Sequence, residues 1–460
     1  MLNIGDVFPT PQDQARIAIQ NNYENLLLNK SVGNFRMVSH NGKISKQQID
    51  PMVPLPQTVA DISGDLLMGE SPRIKLPDSN QKPFDEWKFK TNFESRLLEA
   101  ATYTSAIGTV VSRMFVINGE VFYDFVPANK VIFTKELGET INAKFILSVS
   151  QTKNNAFLIY EIQEYDLEIT GDVETVNKTV ILKHYEIKVR ISDTKIVEIT
   201  PITEETIPGL DFLPVAIWRN VGIMGAEFGR SDYSGKEQLF AEIDNRIDQN
   251  NDVLQENAEP WKAVPPGILN QHGQLNRASM DAKMFEKAPG GQGDNAVDII
   301  TWDGSLDASF TQINEMEDLI FFTSRLSNAI TGRGKGGTND SGRSLKWQSI
   351  STIAMMNRKK RYAGDFLKTF VGQWSMLSAV NDLTKEDVTI EWQDGLPIDE
   401  TEETATTIAQ VNAQLMSKET AVKRLQNLND EEAKKELERI QADIAFQTEQ
   451  EQQASVPIIV

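Results

Sequence analysis

The chain has 460 residues, with 46 lysines and arginines against 66 aspartates and glutamates and a formal net charge of −20. It has no cysteine, which excludes disulfide frameworks, thiolate catalysis and Cys-ligated metal sites. So large an acidic surplus argues against a protein that coats duplex DNA, because that affinity comes from cations neutralising phosphates. Hydrophobic residues at 40% and charged residues at 24% are ordinary globular usage, and the length suggests about two to four domains. His40, His184 and His272 lie far apart in sequence, so no His-rich metal cluster is expected. Met1 to Pro11 lacks the basic-then-apolar pattern of a signal peptide, and no run reaches the ~18 apolar residues of a membrane-spanning helix.

In chain order, residues 11–31 read as a helix. Pro51, Pro54 and Pro56 impose an extended strap. Val59, Ile62 and Leu66 then follow helical spacing as far as Gly69. Residues 85–112 read as one further helix. From about 113 to 220 the period changes to two, and Asn118-Gly119 between apolar runs signals a hairpin. Strands are expected at 143–149, 156–169, 178–189 and 195–200, giving an antiparallel region of roughly 100 residues, a meander or sandwich.

Helical spacing returns at Gly229. Leu239, Ile243, Ile247 and Leu254 form its apolar stripe, with Glu242, Asp244, Asp248 and Asp252 among the rest. Pro260 to Pro266 ends this helix, and 260–305 reads as an irregular insert with a short strand at 297–302. A second helix is expected over 307–330, with Phe310, Ile313, Met316 and Ile320 on one face. Four glycines between Gly332 and Gly337 make a flexible loop. A long helix over about 343–380 follows, with Trp347, Ile350, Ala354, Phe366, Phe370 and Trp374 as apolar positions. A strand is expected at 388–392. From 400 onward the chain reads as helical and polar, and residues 386–460 carry 17 acidic against 6 basic side chains.

Two stretches bear on chemistry. Gly337 to Ser344 matches a phosphate-binding loop except that Arg343 replaces the lysine. A helix rather than a strand precedes it, and a planar guanidinium is a poor substitute for a point charge, so it reads as a glycine loop beside a helix N-terminus. Arg333, Lys335, Arg343, Lys346, Arg358, Lys359, Lys360 and Arg361 form a basic island opposed only by Asp340. In an acidic chain this points to an anionic contact. For Arg358 to Arg361 the favoured contact is the protein's own acidic helices. No catalytic carboxylate pair, nucleophile elbow or metal motif stands out.

The order of these parts, and the stretches Pro54–Pro72, Leu213–Asn220, Gly229–Asp232, Glu259–Leu269, Ser341–Lys346 and Trp392–Pro397, resemble the portal protein of tailed bacteriophages, of the kind in siphophages of Gram-positive hosts. The resemblance implies an α+β subunit with a β-rich wing, two stem helices, a small α/β clip, a long spine helix and a helical crown. The wing would be 1–228, with a return strand in 381–399. Stem helices would be 229–258 and 307–330, the clip 259–306, the tunnel loop 331–341, the spine 342–380 and the acidic crown 400–460.

The resemblance further implies a ring, usually of twelve subunits, at one capsid vertex, carrying double-stranded DNA inward during packaging and outward during ejection. Arg333, Lys335, Thr338 and Asn339 would line the tunnel loop. Glu242, Asp244, Asp248 and Asp252 would give the stem an acidic face. Trp261, Lys262 and Trp302 would serve the clip interface. Terminase and head–tail adaptor would dock on the clip, and scaffold and major capsid protein on the wing. No cofactor, catalytic residue or membrane is implied, and the location is the virion after assembly in host cytoplasm. Two alternatives stand beside it: a nucleotide-driven DNA enzyme using Gly337 to Ser344, and a non-viral acidic scaffold.

Overall fold

The computed structural model describes residues 2–30, 35–40, 43–48, 53–136, 139–153, 155–170, 177–207, 210, 212–258, 260–265, 284–287, 297–300, 306–328, 330–331, 347–378, 383–392, 400–426 and 432–442. The chain divides into two units, Met1–Gly334 with Ser351–Gly395, and Lys335–Ile350 with Leu396–Val460.

The first unit opens with helix α1, Pro11–Leu27. Asp13 N–H donates to the cap Thr10 Oγ1 at 3.2 Å and Pro11 occupies the first turn. The helix stops short of the expected position 31, with Asn29 left-handed at φ 50°. Strands β1, Phe35–His40, and β2, Lys43–Gln48, pair antiparallel, a hairpin the periodicity did not disclose although Asn41-Gly42 joins them in sequence. Helix α2, Leu55–Gly64, runs into a π-helical turn, Asp65–Gly69, and strand β3 is Arg73–Lys75.

The single helix expected over 85–112 is instead two, α3 at Asp78–Lys90 and α4 at Phe93–Ile107. Thr91 Oγ1 donates back to the Trp87 carbonyl at 2.8 Å and Asn92 turns left-handed at φ 51°, which breaks the run. Gly108, at φ 93°, ends α4. A Cβ there would lie 2.4 Å from the carbonyl oxygen of Gly229, so two backbones touch at that point.

Strands β4, Thr109–Ile117, and β5, Glu120–Pro127, meet at Asn118 and Gly119, both at positive φ as a tight hairpin requires. Strand β11, Val215–Arg219, adds to β4 and completes a three-stranded sheet. The remaining strands are β6 (Val131–Glu136), β7 (Glu139–Gln151), β8 (Phe157–Thr170), β9 (Asn177–Arg190) and β10 (Ile196–Ile207). They form an antiparallel meander in chain order. One of its faces buries Val131, Ala143, Phe145, Tyr165 and Val180 against Leu213 and Val215. The other buries Ile146, Ile162, Tyr185 and Ile187 under Phe8 of the N-terminal segment. That segment is fastened to β10, with Gly5 N–H donating to Ile196 O at 2.8 Å.

Helix α5, Glu237–Ala258, leads to a small sheet of β12 (Trp261–Val264), β13 (Met284–Glu286) and β14 (Asp298–Ile300), with β12 central. Helix α6, Asp307–Thr323, ends well before 330, and Arg325 at φ 57° turns the chain. Phe310, placed by sequence on its apolar face, is 47% exposed, while Ile313 and Ile320 are buried.

Helix α7, Ile350–Leu377, has 28 residues and spans about 42 Å at 1.5 Å each. Its inner face buries Met355, Met356, Ala363, Phe366, Phe370 and Trp374. Trp374 meets Phe84 edge-on at 4.9 Å between centroids, and Trp218 stacks on Phe366 at 5.1 Å. Trp347 and Ile350, read as apolar stripe, are 69% and 57% exposed. Strand β15, Thr389–Glu391, pairs with β3.

In the second unit, helices α8, Glu400–Asn412, and α9, Lys418–Gln426, contact each other. Gln414, at φ 58°, turns between them, and Thr420 N–H donates to Ser417 Oγ at 3.1 Å to start α9. Residues 432–442 are also largely helical.

Gly108→Ala should cost at least about 2 kcal/mol, because positive φ and backbone contact both oppose a Cβ. Urea denaturation checks this; a loss under about 0.5 kcal/mol would show that the approach to Gly229 relaxes easily.

Candidate functional site

Residues 229–236 form a clamped turn rather than the start of a helix, as the sequence had suggested. Gly229 N–H donates to Thr109 Oγ1 at 2.7 Å, Arg230 N–H to Val221 O at 2.9 Å, and Asp232 N–H to Ser105 O at 2.9 Å. Gly235 then takes φ 81°. With its backbone donors committed outside and a left-handed residue inside, the segment cannot propagate a helix before Glu237.

Asp232 is the centre of this turn. Its carboxylate accepts from Ser105 Oγ at 2.6 Å and from Asn220 Nδ2 at 2.9 Å, and forms an ion pair with Lys359 Nζ. Lys359, 1% exposed, also donates to Ser63 Oγ at 2.6 Å. One joint therefore unites α2, α4, the end of β11, the turn before α5 and α7. Burial alone would push the Asp232 carboxyl up; the Lys359 ammonium, helped by the Ser105 and Asn220 hydrogen bonds, holds it below the usual carboxylate range. Lys236 Nζ donates to the Asp232 carbonyl at 2.5 Å, and its burial lowers that ammonium's pKa. Tyr23 OH donates to Glu237 Oε1 at 2.7 Å, fastening α5 to α1, and burial with that carboxylate pushes the phenol up to about 12.

Sequence reasoning missed this joint. Lys359 appeared only as part of the basic island, and its partner lies in a turn rather than on an acidic helix. Lys360 instead lies 5.8 Å from the Trp392 ring centroid, and Arg358 and Arg361 are exposed.

The four acidic candidates on α5 do not share one face. At 100° per residue, Asp244, Asp248 and Asp252 make one stripe and Glu242 points about 160° away from Asp244. Glu242 pairs with Arg246 at 2.9 Å. Asp244 is 8% exposed, 3.4 Å from the Val53 amide, and lines a mainly apolar groove of ≈ 260 Å³ between α1 and α5. Asp248 and Asp252 are half-buried. Helix α6 runs beside α5, with Ser309 Oγ donating to Asn250 Oδ1 at 2.8 Å.

In the small sheet, Trp261 is 42% exposed with its ring 6.4 Å from that of Phe285. Lys262 is exposed and registers with Met284 and Ile299, and Ile299 is 60% exposed. Trp302, Arg333, Lys335, Thr338 and Asn339, with the Gly337 to Ser344 stretch, lie outside the described residues. Among the described residues no three His, Asp or Glu side chains could hold a metal ion, and no helix is long and apolar enough to cross a membrane.

The sequence matches the family described as phage portal protein, SPP1 Gp6-like, over residues 52–450. The chain belongs to this portal family. Portal proteins are structural components of the phage capsid rather than enzymes, which removes the nucleotide-driven and non-viral alternatives. No curated protein matches the sequence. Among solved structures, similar chains occur in the neck of a native GTA particle computed with C12 symmetry (TM-score 0.48, 9% identity, 92% of this chain and 96% of that one). Others occur in the neck of an empty GTA particle computed with C6 symmetry (0.47, 8%, 81% and 90%) and in the virion of a native gene transfer agent (0.44, 9%, 81% and 89%).

In this portal subunit, Lys359→Met should cost about 3–5 kcal/mol by leaving a buried carboxylate without its counter-charge; urea titration reads the loss, and a value under about 1 kcal/mol would count against the joint. Because the folded Asp232 pKa is depressed, its stabilisation is complete above the unfolded carboxylate pKa of about 3.9 and fades as pH falls through the folded value. Lys359→Met should therefore lose stability less steeply than the parent on acidification.

Proposed function

We propose that this chain is the subunit of a closed ring at one capsid vertex, through which double-stranded DNA passes in packaging and ejection, and which terminase and the head–tail adaptor engage. The observation that carries the reading is the family match over residues 52–450, joined to the geometry of α5, the β12–β14 sheet and α6. In this reading α5 and α6 are the stem, the stem beginning at Glu237 rather than 229, and the inserted sheet between them is the clip. Helix α7 is the spine, the β region and the helices before it are the wing, and 400–460 the crown.

The charge distribution supports a conduit. A chain of net charge −20 repels phosphates, so DNA slides without adhering, and a few cations contact its backbone without reading bases. Asp248 and Asp252, half-buried, add negative charge to the stem helix α5. Glu242 is neutralised by Arg246 and Asp244 turns inward. Arg333 and Lys335 supply transient phosphate contacts, and Trp261 and Lys262 form part of the clip surface offered to terminase or adaptor.

Electron microscopy of the purified protein tests the reading. End-on averages should show a closed ring, of about twelve subunits if the usual number holds, around an open channel; a compact monomer in the presence of scaffold protein would defeat it. Replacing Arg333 and Lys335 together by alanine should leave ring assembly intact and alter DNA packaged or retained per particle. Unchanged packaging would remove that role.

A further inference from the structure

Helices α6 and α7 carry opposite, unspent charge on their outward faces. On α6, Ile313, Ile320 and Phe321 point into the core. Glu315, Asp318, Leu319 and Phe322 share an outward arc of about 100°. Phe322 is 79% exposed and Leu319 45%. On α7, Arg358, Arg361, Asp365 and Lys368 share an outward arc of about 80° opposite the buried Phe366–Phe370 seam. Glu315, Asp318, Arg358 and Arg361 are exposed, and among the described residues none of them has an ion-pair partner. In most surface helices, cations and anions of this density pair at i,i+3 or i,i+4. Here each face is left nearly single-signed, Asp365 being the exception on α7. An apolar pair as exposed as Leu319 and Phe322 beside carboxylates is a feature of interfaces rather than of solvated surface.

The helices that carry the two faces are joined by hydrogen bonds at one point. Thr352 Oγ1 donates to Arg325 O at 2.7 Å and accepts from Ser327 N–H at 2.9 Å, tying α7 to the chain leaving α6. Intramolecular pairing of the faces is thereby forgone, while a second copy presents the complement of each. We infer that the outward face of α6 docks on the outward face of α7 of a second copy of this chain, head to tail. Such a contact uses two different patches, so it is heterologous and closes only as a ring. The exposed Leu319 and Phe322 suit a protein partner better than DNA, because neither side chain gains from phosphate. The inference deepens the ring reading and rests on it for closure, though not for the pairing itself.

The test uses two full-length variants, Arg358→Glu/Arg361→Glu and Glu315→Lys/Asp318→Lys, and the quadruple exchange in one chain. Each double variant makes the two faces alike in sign, and self-association measured by sedimentation should weaken at least about ten-fold, because like-charge juxtaposition opposes docking. Mixing the two double variants should restore association as an alternating assembly, and the quadruple exchange should restore it in a single chain. Phe322→Ala should weaken association while leaving the urea midpoint of the monomer unchanged, since its ring is exposed there. Double variants that assemble like the parent, or a mixture and a quadruple variant that both fail to recover, would overturn the inference. If the parent forms no closed ring, the ring reading fails separately; mixed-variant association above that of either alone would still uphold the α6–α7 pairing, and its absence would reject it.

Discussion

The ion pair between Lys359 and Asp232 is the constraint on which the arrangement of the first unit depends. It is the point where α2, α4, the end of β11, the turn before α5 and α7 are all in contact. A buried pair of this kind adds little net stability over apolar residues of similar size. The apolar seam of Phe366, Phe370 and Trp374 stabilises the unit more, at about 1.5–3 kcal/mol for each fully buried side chain. What the pair contributes is register. Aromatic packing tolerates sliding of a helix, whereas a buried ammonium has acceptors at only one place along it.

That register bears on the proposed ring. Asp232 lies in the clamped turn from which α5 departs, and Lys359 lies on α7 about two turns beyond the contact of Thr352 with Arg325. The start of α5 and the end of α6 are therefore both referred to the same long helix. In the ring proposed above, those two helices would need to leave the body in a fixed direction, and two polar anchors on one long helix would achieve this with few residues. The touching backbones at Gly108 and Gly229 belong to the same device, since they let the turn lie directly on the end of α4.

Charge in this protein is arranged by sign and not merely by amount. Glu242 is spent on Arg246, and Asp244 lines the groove against α1, so neither adds much to an outward field. Cations follow the same division. Lys359 is consumed inside, Lys360 lies near Trp392, and Arg358 and Arg361 stay on the surface. Consecutive basic residues thus have different fates, because a helix rotates each by about 100° from the last.

Local sequence determined what depends on local physics. Asn118-Gly119 specified its hairpin because both positions must take positive φ, and the alternating strands of 143–200 declared themselves by period, whereas Pro56, read as part of an extended strap, sits in the first turn of α2, where its missing N–H costs nothing. The order of the elements together with local stretches such as Pro54–Pro72, Glu259–Leu269 and Ser341–Lys346 carried the resemblance to the portal family. The tertiary structure decided the rest. The break at Asn92 and the late start of α5 depend on hydrogen bonds and left-handed residues that apolar spacing does not report, and those of the turn before α5 reach residues distant in sequence. Phe310, Trp347 and Ile350 matched an apolar stripe yet are exposed, since periodicity gives a helix its stripe without saying where the stripe meets a partner. Asp232 and Lys359 are 127 positions apart; one looked like part of a turn and the other like a surface cation, and only the fold, by removing water from both at once, made them a pair.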